Sequence, residues 1–307
     1  MKYGDFLKSC NLCKRECGVD RLGGDLGFCR AGSEVKIAKA NLHLWEEPPI
    51  SCGNGSGTVF FSHCNFKCVF CQNHDISQED KGTTVTIEGL SNIFLELQNK
   101  GANNINLVTP THYVPQIKEA IEIAKTTGLN LPILYNTNCY DSLETIKSLD
   151  GYIDVYLPDF KYFSDKYSIK YSKAPGYFEN IIPVLDEMTR QTGEATFDEK
   201  GRMQKGVIIR HLMLPGLLFD SKKVIDKIYS SFGDKVYISI MNQYIPMYKT
   251  CDYPEINKPL NPGHYDSLID YAMAIGVTNG FIQDEGANDK NFIPDFDLSD
   301  IYIPIKN

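Results

Sequence analysis

Cys64, Cys68 and Cys71 fall within the eight-residue run Cys-Asn-Phe-Lys-Cys-Val-Phe-Cys. Thiolates separated by three and then two residues let one short loop wrap a face of a cuboidal 4Fe-4S cluster, in which each iron takes a thiolate. Three thiolates leave the fourth iron open, and an open position distinguishes a catalytic metal site from a structural one. The alternative is structural zinc, which needs a fourth ligand; His63 and His74 stand nearby. A second set, Cys10, Cys13, Cys17 and Cys29, has two, three and eleven intervening residues, with Gly18, Gly23, Gly24 and Gly27 to turn the chain. Four thiolates complete a zinc site or saturate a second iron-sulfur cluster, leaving no position for chemistry. Unligated thiols are the remaining reading.

A cluster loop needs rigid elements behind it. Residues 58–62, Thr-Val-Phe-Phe-Ser, have the β-branched and aromatic character of a buried strand and lead directly to Cys64. Ile87, Leu90, Phe94 and Leu97 mark one face of a helix that Gly101 ends, and residues 105–109 form the next strand. Ile117, Ala120, Ile121 and Ala124 give a second helical face with its stop at Gly128. Residues 131–137 and 152–157 read as strands, with a helix over 141–148 capped by Asp141 and carrying Glu144 three residues on. A helix over 177–191 and strands over 207–212, 236–240 and 277–282 complete the alternation. Such a string calls for a parallel sheet with right-handed crossovers, either a barrel or part-barrel or a doubly wound open sheet.

With 31 Lys+Arg against 39 Asp+Glu, a net charge of -8 gives no field to gather nucleic acid or an anionic membrane. No apolar run approaches the roughly 18 residues of a membrane span, so a cytoplasmic protein is expected. Ten cysteines in a chain of this length, without an export signal, point to metal or redox chemistry rather than to a disulfide scaffold. The expected organisation is a Cys-rich N-terminal extension over 1–50, a core over 51–285 and a tail over 286–307.

The three-cysteine run, with Phe70 before its last cysteine and a strand before it, resembles the radical S-adenosylmethionine superfamily. The strings at 10–13 (Cys-Asn-Leu-Cys), 47–51 (Glu-Pro-Pro-Ile-Ser), 106–112 (Asn-Leu-Val-Thr-Pro-Thr-His), 157–162 (Leu-Pro-Asp-Phe-Lys-Tyr) and 210–216 (Arg-His-Leu-Met-Leu-Pro-Gly) are similar to the branch called pyruvate formate-lyase-activating-enzyme-like. The resemblance implies an α/β fold, a partial (β/α)6 TIM-type barrel with its site at the C-terminal ends of the strands. It also implies that S-adenosylmethionine chelates the open iron and that the reduced cluster cleaves it. The resulting 5′-deoxyadenosyl radical takes hydrogen from a substrate, in this branch a glycine of a protein or peptide. Flavodoxin or ferredoxin is the implied electron donor.

Residue roles follow by the same resemblance. Phe70 lies beside the cluster. Asn136-Thr137-Asn138-Cys139 occupies the place of an Asp-Thr-Asn-Gly segment next to S-adenosylmethionine. Lys161 pairs with the methionyl carboxylate, while Asp159, Asn136 and Thr137 surround a monovalent cation. Thr109 and Thr111 stand where many relatives receive the amino group on Gly-Gly-Glu. His112 is either a wall residue or a substrate ligand. Arg210, at the start of a strand, faces the glycyl peptide, and Gln243 and Tyr244 offer hydrogen bonds near the ribose and adenine. Two other functions fit the same residues: a radical enzyme acting on a small molecule, and a non-catalytic zinc or iron-sulfur interaction protein.

Overall fold

In the computed structural model, residues 3–283 and 295–296 are described. The strands are β1 (Val35–His43), β2 (Ser56–Phe61), β3 (Thr83–Val85), β4 (Ile105–Val108), β5 (Ile133–Thr137), β6 (Val155–Pro158), β7 (Thr196–Phe197), β8 (Met203–Leu212), β9 (Tyr237–Met241) and β10 (Gly280–Ile282). They form one sheet in the order β10-β9-β8-β6-β5-β4-β2-β1-β3, with β7 attached to β8. Neighbours from β2 to β10 run parallel, whereas β1 is antiparallel to β2 and β3, and β7 to β8. The path never returns to its start, so the architecture is a partial TIM-type barrel.

The period-two alternation of each strand divides the sheet into two faces. Val59, Leu107, Tyr135, Tyr156, Ile209 and Ile238 point outward into the main core, where the helices Ile87–Asn99, Val114–Thr126, Tyr177–Thr192 and Leu218–Phe232 bury their apolar stripes. Leu134, Val155, Leu157 and Ile208 point the other way and pack on Ile50, which a one-turn helix, Pro48–Ser51, lays against the inner face. Burial on both faces explains why β2 is apolar or small throughout and fully buried. Gly57 permits the approach of β2 to the start of β4: a Cβ there would lie 2.7 Å from the Asn104 carbonyl oxygen.

Several boundaries differ from expectation. β1 lies within residues 1–50 and belongs to the main sheet; Lys36 and Lys39 interrupt its apolar pattern. The helix over 141–148 begins at Leu143 with Ser142 as cap, accepting from the Thr145 amide. Asp141 is instead drawn into the interior, where its carboxylate accepts from the Tyr135 hydroxyl at 2.7 Å and the Thr137 hydroxyl at 2.6 Å. The strand over 277–282 shortens to β10. Of the expected tail only residues 295–296 are described, and Phe296 packs edge-on against Phe60, ring centroids 5.4 Å apart. No helix among the described residues is long and apolar enough to cross a membrane.

Candidate active site

Three strands end in left-handed turns made without glycine. After β2 comes His63 at φ 75°, after β4 Thr109 at φ 58°, and after β5 Cys139 at φ 61°. Each such residue costs on the order of 1–3 kcal/mol, which the surrounding packing must offset, and such strain concentrates at functional sites. All three turns lie at the C-terminal ends of parallel strands, the face on which barrel enzymes build their sites.

The loop that follows His63 is fastened along its length. The Lys67 and Val69 amides donate to the Ser172 and Tyr171 carbonyls at 3.0 and 2.9 Å, docking the loop on the end of the helix Asp165–Ser172. Each sulfur has a polar neighbour. Cys64 receives the Asn138 amide at 3.4 Å, Cys68 lies 3.0 Å from the Ser172 hydroxyl, and Cys71 lies 3.3 Å from that of Ser77. All three are free cysteines. Burial pushes the Cys64 thiol up to about 11 and that of Cys68 up to about 12, and moves Cys71 in the same direction. Loading a metal must therefore expel three protons, which makes ligation pH-dependent. His63 and His74, the possible fourth zinc ligands, are turned elsewhere: His63 Nε2 lies 3.3 Å from Asp80, and the His74 ring stacks on Tyr248.

The three cysteines open onto a cavity of about 250 Å³ that also takes in Phe70, Thr109, Asn136, Thr137, Asn138, Asp159, Lys161, Arg210, Gln243 and Tyr244. Lys161 is ion-paired to Asp159 at 2.6 Å; burial works against its charge, but that carboxylate and the cluster cysteines hold its pKa above the ordinary lysine value. Phe70 and Tyr244 face each other with centroids 5.8 Å apart.

Other expected residues stand differently. Thr111 is 2 % exposed and lies not on this cavity but on a smaller one beside the N-terminal cysteines. The Thr137 hydroxyl donates to Asp141 at 2.6 Å and accepts from the Cys139 amide at 3.1 Å, while the residue lines the cavity. Tyr244 donates its hydroxyl to the Ile256 carbonyl at 2.7 Å, so that proton is committed away from the cavity. His112 is buried, with Nε2 against the Ser62 carbonyl at 2.7 Å, and lies on the smaller cavity rather than on this one.

The largest departure concerns Arg210. β8 begins at Met203, so Arg210 lies near its C-terminal end rather than at its start. Its guanidinium is enclosed by carboxylates of its own chain, Nε donating to Glu47 Oε1 at 2.9 Å and one terminal nitrogen to both Glu46 and Glu47. Burial opposes ionisation of Glu47, yet Arg210 holds its carboxyl below the usual range. Glu46 also accepts from Asn106 at 2.7 Å and lines the cavity with His43 and the exposed Trp45. These floor residues were missed because a lone Glu-Glu pair before two prolines shows no periodicity; only the Arg210 contact reveals their place.

A partial barrel with three partly buried thiols on one loop at its strand ends, open towards a mixed polar and apolar cavity, has the architecture of a β/α-barrel protein able to hold a metal centre on cysteines. Residues 58–228, more than half of the chain, match the Radical SAM superfamily, and the chain belongs to it. An uncharacterized protein of Methanocaldococcus jannaschii is 32% identical over 276 residues, covering 87% of this chain and 75% of the relative. SuiB of Streptococcus suis, solved with S-adenosylmethionine, shares the fold with a TM-score of 0.52 at 14% identity, over 73% of this chain and 48% of SuiB. SuiB with its precursor peptide SuiA superposes with a TM-score of 0.51, again at 14% identity, over 73% of this chain and 47% of SuiB. This chain thus spans about half the length of SuiB. Superfamily membership implies a 4Fe-4S cluster and S-adenosylmethionine as cofactors, and the donor set fits them: three thiols with no fourth protein ligand among the described residues, and one partly buried lysine beside them.

Proposed function

We propose that the protein reductively cleaves S-adenosylmethionine and takes hydrogen from a glycine of a protein or peptide, as an activase-like enzyme. The observation that carries this reading is the single cavity that joins Cys64, Cys68 and Cys71 to the Asp159–Lys161 pair and to the strand-end residues Thr109, Asn136 and Gln243. Cys64, Cys68 and Cys71 would hold the cluster. Bound there, the cluster and S-adenosylmethionine together supply a 5′-deoxyadenosyl radical. Lys161 is the residue for the methionyl carboxylate, and Asp159 fixes its ammonium. Phe66, Phe70, Val108, Leu212 and Met241 form apolar walls that keep water from a reactive centre.

A peptide substrate is favoured over an anionic small molecule by the charges on the cavity. Arg210 is already compensated by two glutamates and Lys161 by one aspartate, so among the described residues that line the cavity no uncommitted lysine or arginine stands ready for a second carboxylate. The exposed Trp45, beside Glu46, offers a flat apolar contact of the kind that backbone segments use. SuiB, which shares the fold, was solved with a precursor peptide.

The test is anaerobic incubation of reconstituted protein with S-adenosylmethionine, a reductant (dithionite, or a flavodoxin or ferredoxin system) and candidate glycyl radical proteins. 5′-Deoxyadenosine and methionine should form with wild type and disappear with Cys68→Ala, and a radical signal should grow in the partner. Cleavage with a small-molecule product and no radical in any partner would refute the activase reading. No cleavage at all would leave an interaction protein.

A further inference from the structure

Residues 9–34 contain no helix or strand beyond an isolated bridge between Cys13 and Asp141. So long an irregular stretch in a compact domain needs something other than an apolar core to hold it. Turn hydrogen bonds do part of this, with the Cys10 amide on the Val19 carbonyl at 3.0 Å and the Gly18 amide on the Cys10 carbonyl at 2.9 Å. At their centre Cys10, Cys13, Cys17 and Cys29 line one small cavity, all as free thiols. Gly27 packs closely beside them: a Cβ there would lie 2.9 Å from Cys17 Sγ and would push that side chain aside.

Arg21 supplies the second, independent observation. It is 1% exposed and lines the same cavity. Its guanidinium donates to two carbonyls, those of Gly32 and His112, and lies 5.8 Å from the Tyr113 ring centroid. Among the described residues no carboxylate pairs with it. An uncompensated buried cation is expensive. Four thiolates around a zinc ion, or around an oxidised 4Fe-4S cluster, carry net negative charge and would compensate it.

We propose that Cys10, Cys13, Cys17 and Cys29 bind a second metal centre, closed to substrate, whose negative charge Arg21 balances. All four positions are filled by protein, which makes the centre structural or electron-carrying rather than a place where substrate binds. It sits against the cluster loop. Arg15 Nε donates to the Asn65 carbonyl at 3.1 Å, and the Asn65 side chain accepts at 2.7 Å from Asn138, which also reaches Cys64. The Lys14 amide donates to the Tyr140 carbonyl and the Ser142 amide to that of Leu12, so the same segment grips the turn after β5.

The test counts zinc, iron and labile sulfide in the anaerobically purified and reconstituted full chain. Wild type should carry either about eight irons, or about four irons and one zinc; four irons without zinc would overturn the proposal, and this arm needs no variant. With Cys64, Cys68 and Cys71 all changed to Ala, one centre should remain, as zinc or as iron with sulfide, and adding Cys17→Ser and Cys29→Ser should remove it. A triple variant that holds no metal contradicts the proposal without bearing on the cluster at Cys64. Arg21→Gln should lose the second metal to a chelator roughly tenfold faster, the scale of an outer-shell change; an unchanged rate would remove Arg21 from the account.

Discussion

Cys139 shows how a single residue can carry the history of a site. In the segment that Asn136-Thr137-Asn138-Cys139 resembles, glycine holds the last place, and the φ of 61° here gives the reason: the chain turns left-handed as it leaves β5. Cys139 accepts that strain in exchange for a fully buried side chain. Cys139→Gly should relieve the backbone while losing the sulfur's packing, whereas Cys139→Ala loses the packing and keeps the strain. The glycine variant should therefore be the more stable of the two by about 1 kcal/mol in denaturant midpoints; an alanine variant of greater stability would show the turn to be unstrained. Arg210 makes the complementary point. Its type and position suggested an anchor for substrate, but charge is a property of the neighbourhood, and Glu46 and Glu47 have already used it.

At the scale of elements, the strand ends must be held together for the loops to meet, and buried polar residues do this. His211 ties β8 to the segment after β6: Nδ1 faces the Phe160 carbonyl at 2.7 Å, and Nε2 has no partner among the described residues. Burial lowers its pKa to about 4 from an ordinary 6.5, so the unfolded chain binds the extra proton first as pH falls. Stability from this ring is complete above about pH 6.5 and is lost as pH drops towards 4, at up to roughly 1.4 kcal/mol per pH unit. Urea unfolding between about pH 7 and pH 4.5 should show a shallower pH slope for His211→Asn than for wild type; equal slopes would mean the ring is solvated. The elements themselves were largely legible, because β2, β4, β5, β6, β8 and β9 are short apolar runs between amphipathic helices. What escaped was polar or brief. β1 is interrupted by lysines, β3 and β7 have three and two residues, and the helix Asp165–Ser172 buries only one large apolar side chain, Tyr171.

Over the whole molecule the curved sheet separates two jobs. Its outer face, with the helices, supplies the core; its inner face, plugged at one end by residues 44–51, supplies the cavity. The cysteines that line this cavity were readable from spacing, since a cluster loop is local in sequence. The cavity floor was not, because Glu46 and Glu47 lie more than 160 residues from Arg210 and meet it only through the topology. Thr111 was misplaced for a similar reason: the turn after Thr109 carries it to the far side of the loop, towards the N-terminal cysteines. The central claim is that Cys64, Cys68 and Cys71 hold a cluster with one open iron facing this cavity. It is tested most directly by electron paramagnetic resonance of the anaerobically reconstituted, dithionite-reduced protein, with and without S-adenosylmethionine. The account predicts a reduced-cluster signal that shifts when S-adenosylmethionine is added and that is lost in Cys68→Ala. A folded protein without such a signal, or one whose signal ignores S-adenosylmethionine, would contradict it.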